Sequence, residues 1–140
     1  MNATLEFLRI KAEMMTINQH HLINETEAVD LLGNEFPTIN NDLEKTANAT
    51  NIYKAMQCFS DFTKQLINKG NFKEVRHCFK VAENMLENGN STVKNAIENS
   101  YLYSIYTLLD LASPVSQKVK SLLTYSLKKE YNKQVCSSGI

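Results

Sequence analysis

The side chains here that could carry out a reaction are few. The chain has three histidines, His20, His21 and His77, and three cysteines, Cys58, Cys78 and Cys136. A nucleophilic thiol needs a base beside it and a third group to orient that base. His77 and Cys78 are sequence neighbours, and neighbours on a helix point about 100° apart, so the pair is not a ready dyad; the same holds for His20 and His21. Metal ligands must converge at defined spacing, as in HExxH or CxxC, and neither motif occurs. Cys58, His77 and Cys78 converge only if their helices pack antiparallel. Against that, both cysteines lie on or beside apolar faces, where free thiols are commonly buried. Glu83 and Glu87 form an i,i+4 acidic pair, which on a helix reads as a solvated face. The four glycines are isolated at helix ends or in the tail, so no loop cradles a phosphate. The residues therefore declare no catalytic group, no metal site and no cofactor site.

Binding is better represented. Asn95, Asn99, Tyr103, Tyr106 and Asp110 follow 4-4-3-4 spacing to one side of the apolar face of their helix. Tyrosine suits an interface because it brings contact area and a hydroxyl at little rotamer cost. A partner-binding surface would use Asn99, Tyr103, Tyr106 and Asp110. The competing reading is that the tyrosines pack beneath the N-terminal helix. A second site class is an apolar pocket between helices, lined by Phe59, Phe62, Phe79 and Tyr101, for a small molecule or lipid; these rings serve equally as ordinary core. Lys118, Lys120, Lys128, Lys129 and Lys133 give the last helix a basic character, which fits an anionic membrane surface or a solubilising outer face, the latter being preferred.

The elements that would hold these residues are helices throughout. Leu5, Leu8, Ala12 and Met15 recur at helical spacing over 3–17, with Phe7, Ile10 and Met14 widening the face. Residues 18–24 read as a linker. A second helix spans 25–36, with Asn24 as cap, Glu27 completing a capping box and Pro37 ending it. Residues 38–49 are ambiguous, with room for one short helical turn. A third helix over 50–69 places Ile52, Met56, Phe59, Phe62 and Leu66 on one face and ends at Gly70. Asn71 opens a fourth, with Glu74 at the capping-box position; it buries Val75, Cys78, Phe79, Ala82, Met85 and Leu86, and Gly89 closes it. Ser91 is the expected cap of a fifth, 92–112, facing inward with Val93, Ile97, Tyr101, Ile105, Leu108 and Leu109. Ser113 and Pro114 begin a sixth, 114–132, burying Val115, Val119, Leu122, Leu123 and Leu127. Short connections at Gly70-Asn71 and Gly89-Asn90 make neighbours antiparallel. The expected fold is all-α: an antiparallel bundle or short α-α superhelix of five to six helices, one domain over 1–134 with a flexible tail over 135–140.

With 140 residues, a hydrophobic share of 43% and a charged share of 21%, the chain can build a core without disulfide or metal. The sixteen asparagines read as base composition rather than function. Net charge is zero but uneven: residues 1–50 carry 3 basic and 8 acidic groups, a net of −5, and residues 111–140 carry 5 and 1, a net of +4. Such ends attract within a chain or between copies, so homodimerisation is an expectation. A +4 segment without arginine is a poor nucleic-acid footprint. No run approaches the roughly 18 apolar residues of a membrane span, and the start does not read as a secretory signal. The N-x-T triplets at Asn2, Asn24, Asn48 and Asn90 then have no glycan role, and an odd number of cysteines suits reduced thiols in the cytoplasm.

One stretch bears a family likeness. In residues 72–109 a helix ends in Leu86, Glu87, Asn88, Gly89, and the next opens with Val93, Asn95, Ala96, Ile97. Upstream, DLLGNEFPTIN over 30–40 is a leucine-rich helix ending in Phe-Pro. The pattern, covering about 30–110, resembles that of small uncharacterised all-helical bacterial proteins, some of them thought to be immunity proteins that neutralise toxins of rival bacteria. Those proteins often carry an acidic residue after the aromatic-Leu pair of the later helix, where this chain has Tyr103. The resemblance implies no catalytic residue. The expected function is a non-enzymatic cytoplasmic interaction domain that binds a protein partner, with neither nucleic acid nor membrane; the alternative is the small-molecule or lipid carrier.

Overall fold

The computed structural model describes residues 21–47, 51–111 and 113–138; the helix expected over 3–17 and the first part of its linker lie outside them. Among the described residues the protein is all-α, with seven helices: α1 (Glu25–Glu35), α2 (Asn40–Ala47), α3 (Ile52–Asn68), α4 (Phe72–Asn88), α5 (91–109), α6 (Pro114–Ser121) and α7 (Tyr125–Ser138). The expected count of five to six fell short for two reasons. The ambiguous stretch after Pro37 holds a 3-10 turn, Pro37–Ile39, running into the eight-residue α2. The single helix expected over 114–132 is two helices, broken at 122–124.

The helix starts are set by asparagine. Asn24, Asn51, Asn71 and Asn90 are N-caps whose side chains accept backbone N–H bonds from the first turns of α1, α3, α4 and α5. Four of the residues ascribed to base composition thus hold up helix ends. Asn24 and Glu27 form the expected reciprocal box. Asn90, not Ser91, caps α5, accepting from Val93 N–H at 2.9 Å; its amide also donates to Glu25 Oε1 at 2.8 Å, tying α5 to α1. At the end of α3, Gly70 takes φ +73°. Asn71 N–H reaches Leu66 O at 2.9 Å and Gly70 N–H reaches Ile67 O at 3.0 Å, the two bonds of a Schellman turn. Gly89 is needed for another reason. Its φ is −75°, but an added Cβ would sit 2.5 Å from Met85 O and 2.6 Å from Val93 Cγ1. The same turn pairs with the incoming chain: Ile23 N–H donates to Asn88 O and Asn90 N–H to Ile23 O, each at 2.8 Å.

The core is centred on α3, which packs against α1, α2, α4 and the middle of α5. There α5 widens into a π segment, Ile97–Leu102, with Tyr103 N–H bonded five residues back to Glu98 O. Phe59 of α3 stacks on Tyr101 of that segment, centroids 4.2 Å apart and planes 14° from parallel. Phe36, just past α1, lies 5.4 Å from both Phe59 and Phe62 and 4.7 Å from the His77 ring. The Tyr101 hydroxyl donates to Thr63 Oγ1 at 2.9 Å, and Thr63 donates to Phe59 O at 3.0 Å, so the buried polar atoms in the stack are satisfied.

The last two helices depart most from expectation. Ser113 caps α6 with Pro114 in its first turn, as the sequence indicates, and Ser116 Oγ donates back to Leu108 O at 2.7 Å. Val119, Leu122, Leu123 and Leu127 are buried, but Val115 is exposed at the corner. After the break, Ser126 N–H donates to Glu83 Oε2 at 2.8 Å, and its hydroxyl donates to Glu87 Oε2. The acidic pair assigned to a solvated face thus caps α7 from α4, where carboxylates suit the positive end of a helix. The helix itself continues beyond residue 135, to Ser138.

Candidate functional site

The described thiols and imidazoles stay apart. Cys78 is fully buried, and burial pushes its thiol up to about 12. Cys58 is half-buried on the other side of α3, its thiol raised by burial and then by the carboxylates of Asp42 and Asp61. His77 turns away from both, with Nε2 2.8 Å from Glu35 Oε1 and Nδ1 3.7 Å from Glu74 Oε2. Its ring lies against Phe36. Among the described residues, neither thiol has an imidazole beside it to take its proton: His77 is engaged by Glu35 and Glu74, and His21 by Glu27. Among the described residues no three His, Cys, Asp or Glu side chains converge to hold a metal ion.

Four rings were nominated for a ligand pocket. Phe59, Phe79 and Tyr101 are at 0% exposure and line none of the three clefts described next. Only the half-buried Phe62 reaches one, a cleft of about 480 Å³ between the 3-10 turn, α2 and α3 whose walls include Lys54, Gln57 and Asp61. A second, of about 410 Å³, lies between α1 and α2 among Asp30, Asn34 and Glu44.

The third cleft gathers three of the four residues nominated for partner binding on the tyrosine stripe. It is a groove of about 270 Å³ between the second half of α5, which supplies Tyr103, Tyr106, Thr107 and Asp110, and α7, which supplies Tyr131, Gln134 and Val135. Tyr103 is 62% exposed on the rim, whereas Tyr106, three residues on, is 5% exposed. Tyr106 meets Tyr131 edge-on at 5.0 Å and donates its hydroxyl to Leu127 O at 2.8 Å. Burial pushes that phenol up, and the Glu130 and Glu98 carboxylates add to the shift. Tyr106 is therefore the floor that seats α7 more than a free contact. Asp110 is exposed where the groove meets the end of α5, and Asn99 is exposed on α5 but outside the groove. The stripe is thus divided, because α7 covers Tyr106 and leaves Tyr103 in solvent.

Between the same helices, Glu98 is part-buried. Burial raises its carboxyl first and Glu130 adds, while Lys133 and Lys94 oppose. A family model for a domain of unknown function, DUF7674, matches residues 29–137. The chain belongs to the DUF7674 family. No curated protein and no solved structure matches it. The DUF7674 match takes in the aromatic core and every residue of the groove, and it starts after the Ile23 bridge and the first turn of α1.

Sequence reasoning missed Tyr131 and the Glu83, Glu87 and Ser126 contact in this DUF7674 chain. Tyr131 lies on a helix whose apolar pattern is weak, and the cap joins residues about forty positions apart; neither leaves a local signal. The lysines also differ from expectation. The break at 122–124 puts Lys118 and Lys129 on different helices, so no single basic face runs through them. Lys118 sits 5.8 Å over the Phe72 ring and Lys120 5.4 Å over Tyr131. No described helix is long and apolar enough to cross a membrane.

Proposed function

We propose that this domain is a non-enzymatic interaction module that binds a protein partner at the α5–α7 groove, with Tyr103, Asp110 and Asn99 as contact side chains and Tyr106 as the rigid floor. The observation that carries the reading is Tyr103. It is 62% exposed on the lip of a concave site, while Tyr101 and Tyr106 of the same helix, at 0% and 5%, are packed away. A large aromatic held out by a fixed helix contributes area at little entropic cost. Raised thiols without a neighbouring base support a non-enzymatic role. The cytoplasm suits the free thiols of Cys58 and Cys78. Toxin neutralisation is the specific form that the resemblance to immunity proteins implies, and it needs only a complementary surface.

The test compares tagged wild-type and Tyr103→Ala chains for capture from host extract. A protein held by the wild type should be lost from the variant, with a Kd weaker by about thirtyfold for a hot spot of about 2 kcal/mol, and with the thermal midpoint unchanged. Equal capture removes the groove from the reading. For the immunity form, co-expression with a secreted toxin encoded beside this gene should restore growth. A light-scattering mass of one chain, 15.9 kDa, at all micromolar concentrations would remove the homodimer.

A further inference from the structure

We propose that the α5–α7 groove is a cage for one arginine of the protein partner, whose guanidinium lies against the tyrosine rings and pairs with Asp110. This deepens the binding function proposed above and rests on it. Charge favours such a guest. Of the described residues that line the groove, Asp110 alone carries a charge, and it is an acid. It stands at the end of α5, where the last carbonyls make the helix negative. No basic side chain lies in that last turn, whereas the last turn of α6 holds Lys118 and Lys120. An acid at the negative end of a helix is unfavourable until a cation reaches it.

The rings favour it as well. Tyr103, Tyr106 and Tyr131 all line the groove. Tyr106 and Tyr131 meet at 65°, so they form a corner, and Tyr103 stands on the rim at 62% exposure. Cations are drawn to the faces of such rings, arginine more often than lysine, and a guanidinium also fits a carboxylate through paired N–H groups. Tyr131 already takes a cation in this fold: Lys120, which does not line the groove, places its Nζ 5.4 Å from the centre of that ring. The hydroxyls of Tyr106 and Thr107 donate to the protein's own carbonyls, Leu127 O and Ser104 O. A guest that brings its own donors suits a wall whose hydroxyl hydrogens are spent at those positions. Size agrees. The groove's volume of about 270 Å³ lies just below the roughly 300–1,000 Å³ of small-molecule pockets, which leaves room for a single long side chain.

The probe is N-acetyl-arginine amide, followed through the backbone amide NMR spectrum of the full-length protein. Saturable shifts should centre on Tyr103, Asp110 and Tyr131, with a Kd in the millimolar range. N-acetyl-citrulline amide has nearly the same shape without the charge and should bind at least about fivefold more weakly. Tyr103→Leu keeps apolar area but removes the ring face and should weaken arginine amide about fivefold, while Tyr103→Phe should bind like wild type. Asp110→Asn should weaken it about threefold. Both side chains are exposed, so an unchanged spectrum elsewhere reports an intact fold. The absence of a saturable shift overturns the proposal, and so does equal binding of citrulline amide. Shifts that ignore both Tyr103→Leu and Asp110→Asn place the site elsewhere and likewise overturn it. Tetramethylammonium bound more tightly than arginine amide assigns the cage to a free quaternary ammonium, with the same consequence. The binding function fails by a different sign, when Tyr103→Ala leaves partner capture unchanged even though arginine amide binds. Capture lost in Tyr103→Ala but kept in Asp110→Asn, with citrulline amide equal to arginine amide, preserves the interface and removes the arginine.

Discussion

The centre of the domain and its α5–α7 edge are built from the same helix by opposite means. At the centre, the π segment of α5 presses Tyr101 flat on Phe59, and Thr63 takes up the tyrosine hydroxyl. Phe36 and His77 extend the stack to α1 and α4. At the edge, α7 is fastened by one fully buried leucine, Leu127, by the edge-on meeting of Tyr106 with Tyr131, and by a cap borrowed from Glu83 and Glu87. A region held by many buried apolar contacts opens only with the whole fold, while one held by few contacts and polar caps opens locally. Binding surfaces are drawn from the second kind. That Tyr103 stands in solvent at this edge, two residues from the fully buried Tyr101, shows how one helix can serve both ends.

The sharpest way to break the comparison is Phe59→Ala. It removes a fully buried ring from the stack and should cost about 3–5 kcal/mol, read as a fall in the midpoint of urea unfolding with α7 and the rest lost together. Survival of a folded centre would show that the stack does not organise it. Leu127→Ala should cost less, about 2–3 kcal/mol, and differ in kind: hydrogen exchange should rise first in α7 while α3 and the π segment stay protected. Uniform exchange would erase the distinction between the two regions.

Smaller effects sharpen it. Glu98 has a carboxyl raised above its ordinary value of 4.5 by burial and by Glu130. A raised acid binds its proton more tightly when folded, so its contribution is present below the ordinary value and is lost as pH climbs through the raised one. Glu98→Gln should flatten that part of the pH–stability curve, with the change confined to α7 exchange. The effect is small, because the group is only part-buried and Lys133 and Lys94 oppose the shift. Smallest of all in stability is Tyr103→Ala, expected within about 0.5 kcal/mol of wild type by thermal melting. A large loss of stability there would mean that Tyr103 belongs with the core and not with a binding surface.

Helix starts and the inward faces were legible from residue types alone. Asn24 with Glu27, Asn71, Gly70, and Ser113 followed by Pro114 act through bonds to residues two to five positions away, so their signal is local. The recurrence of Phe59, Phe79, Ile97 and Ile105 identified core positions for the same reason. The break at 122–124 was not legible: Leu122, Leu123 and Leu127 keep a helical period across it, no glycine or proline marks it, and the bonds that start α7 come from α4. The division of the tyrosine stripe was equally hidden, since spacing says which residues share a face but not where a neighbouring helix stops.

By itself, then, the sequence determined an all-helical chain, most of its caps and most of its buried side chains, because those depend on contacts within a turn or two. Only the tertiary structure decided that Tyr106 is floor and Tyr103 is lip, that Glu83 and Glu87 serve α7, and that the thiols and His77 are kept apart. Each of these depends on which surface a distant helix covers, and burial by a distant helix leaves no periodic trace in the residues it hides.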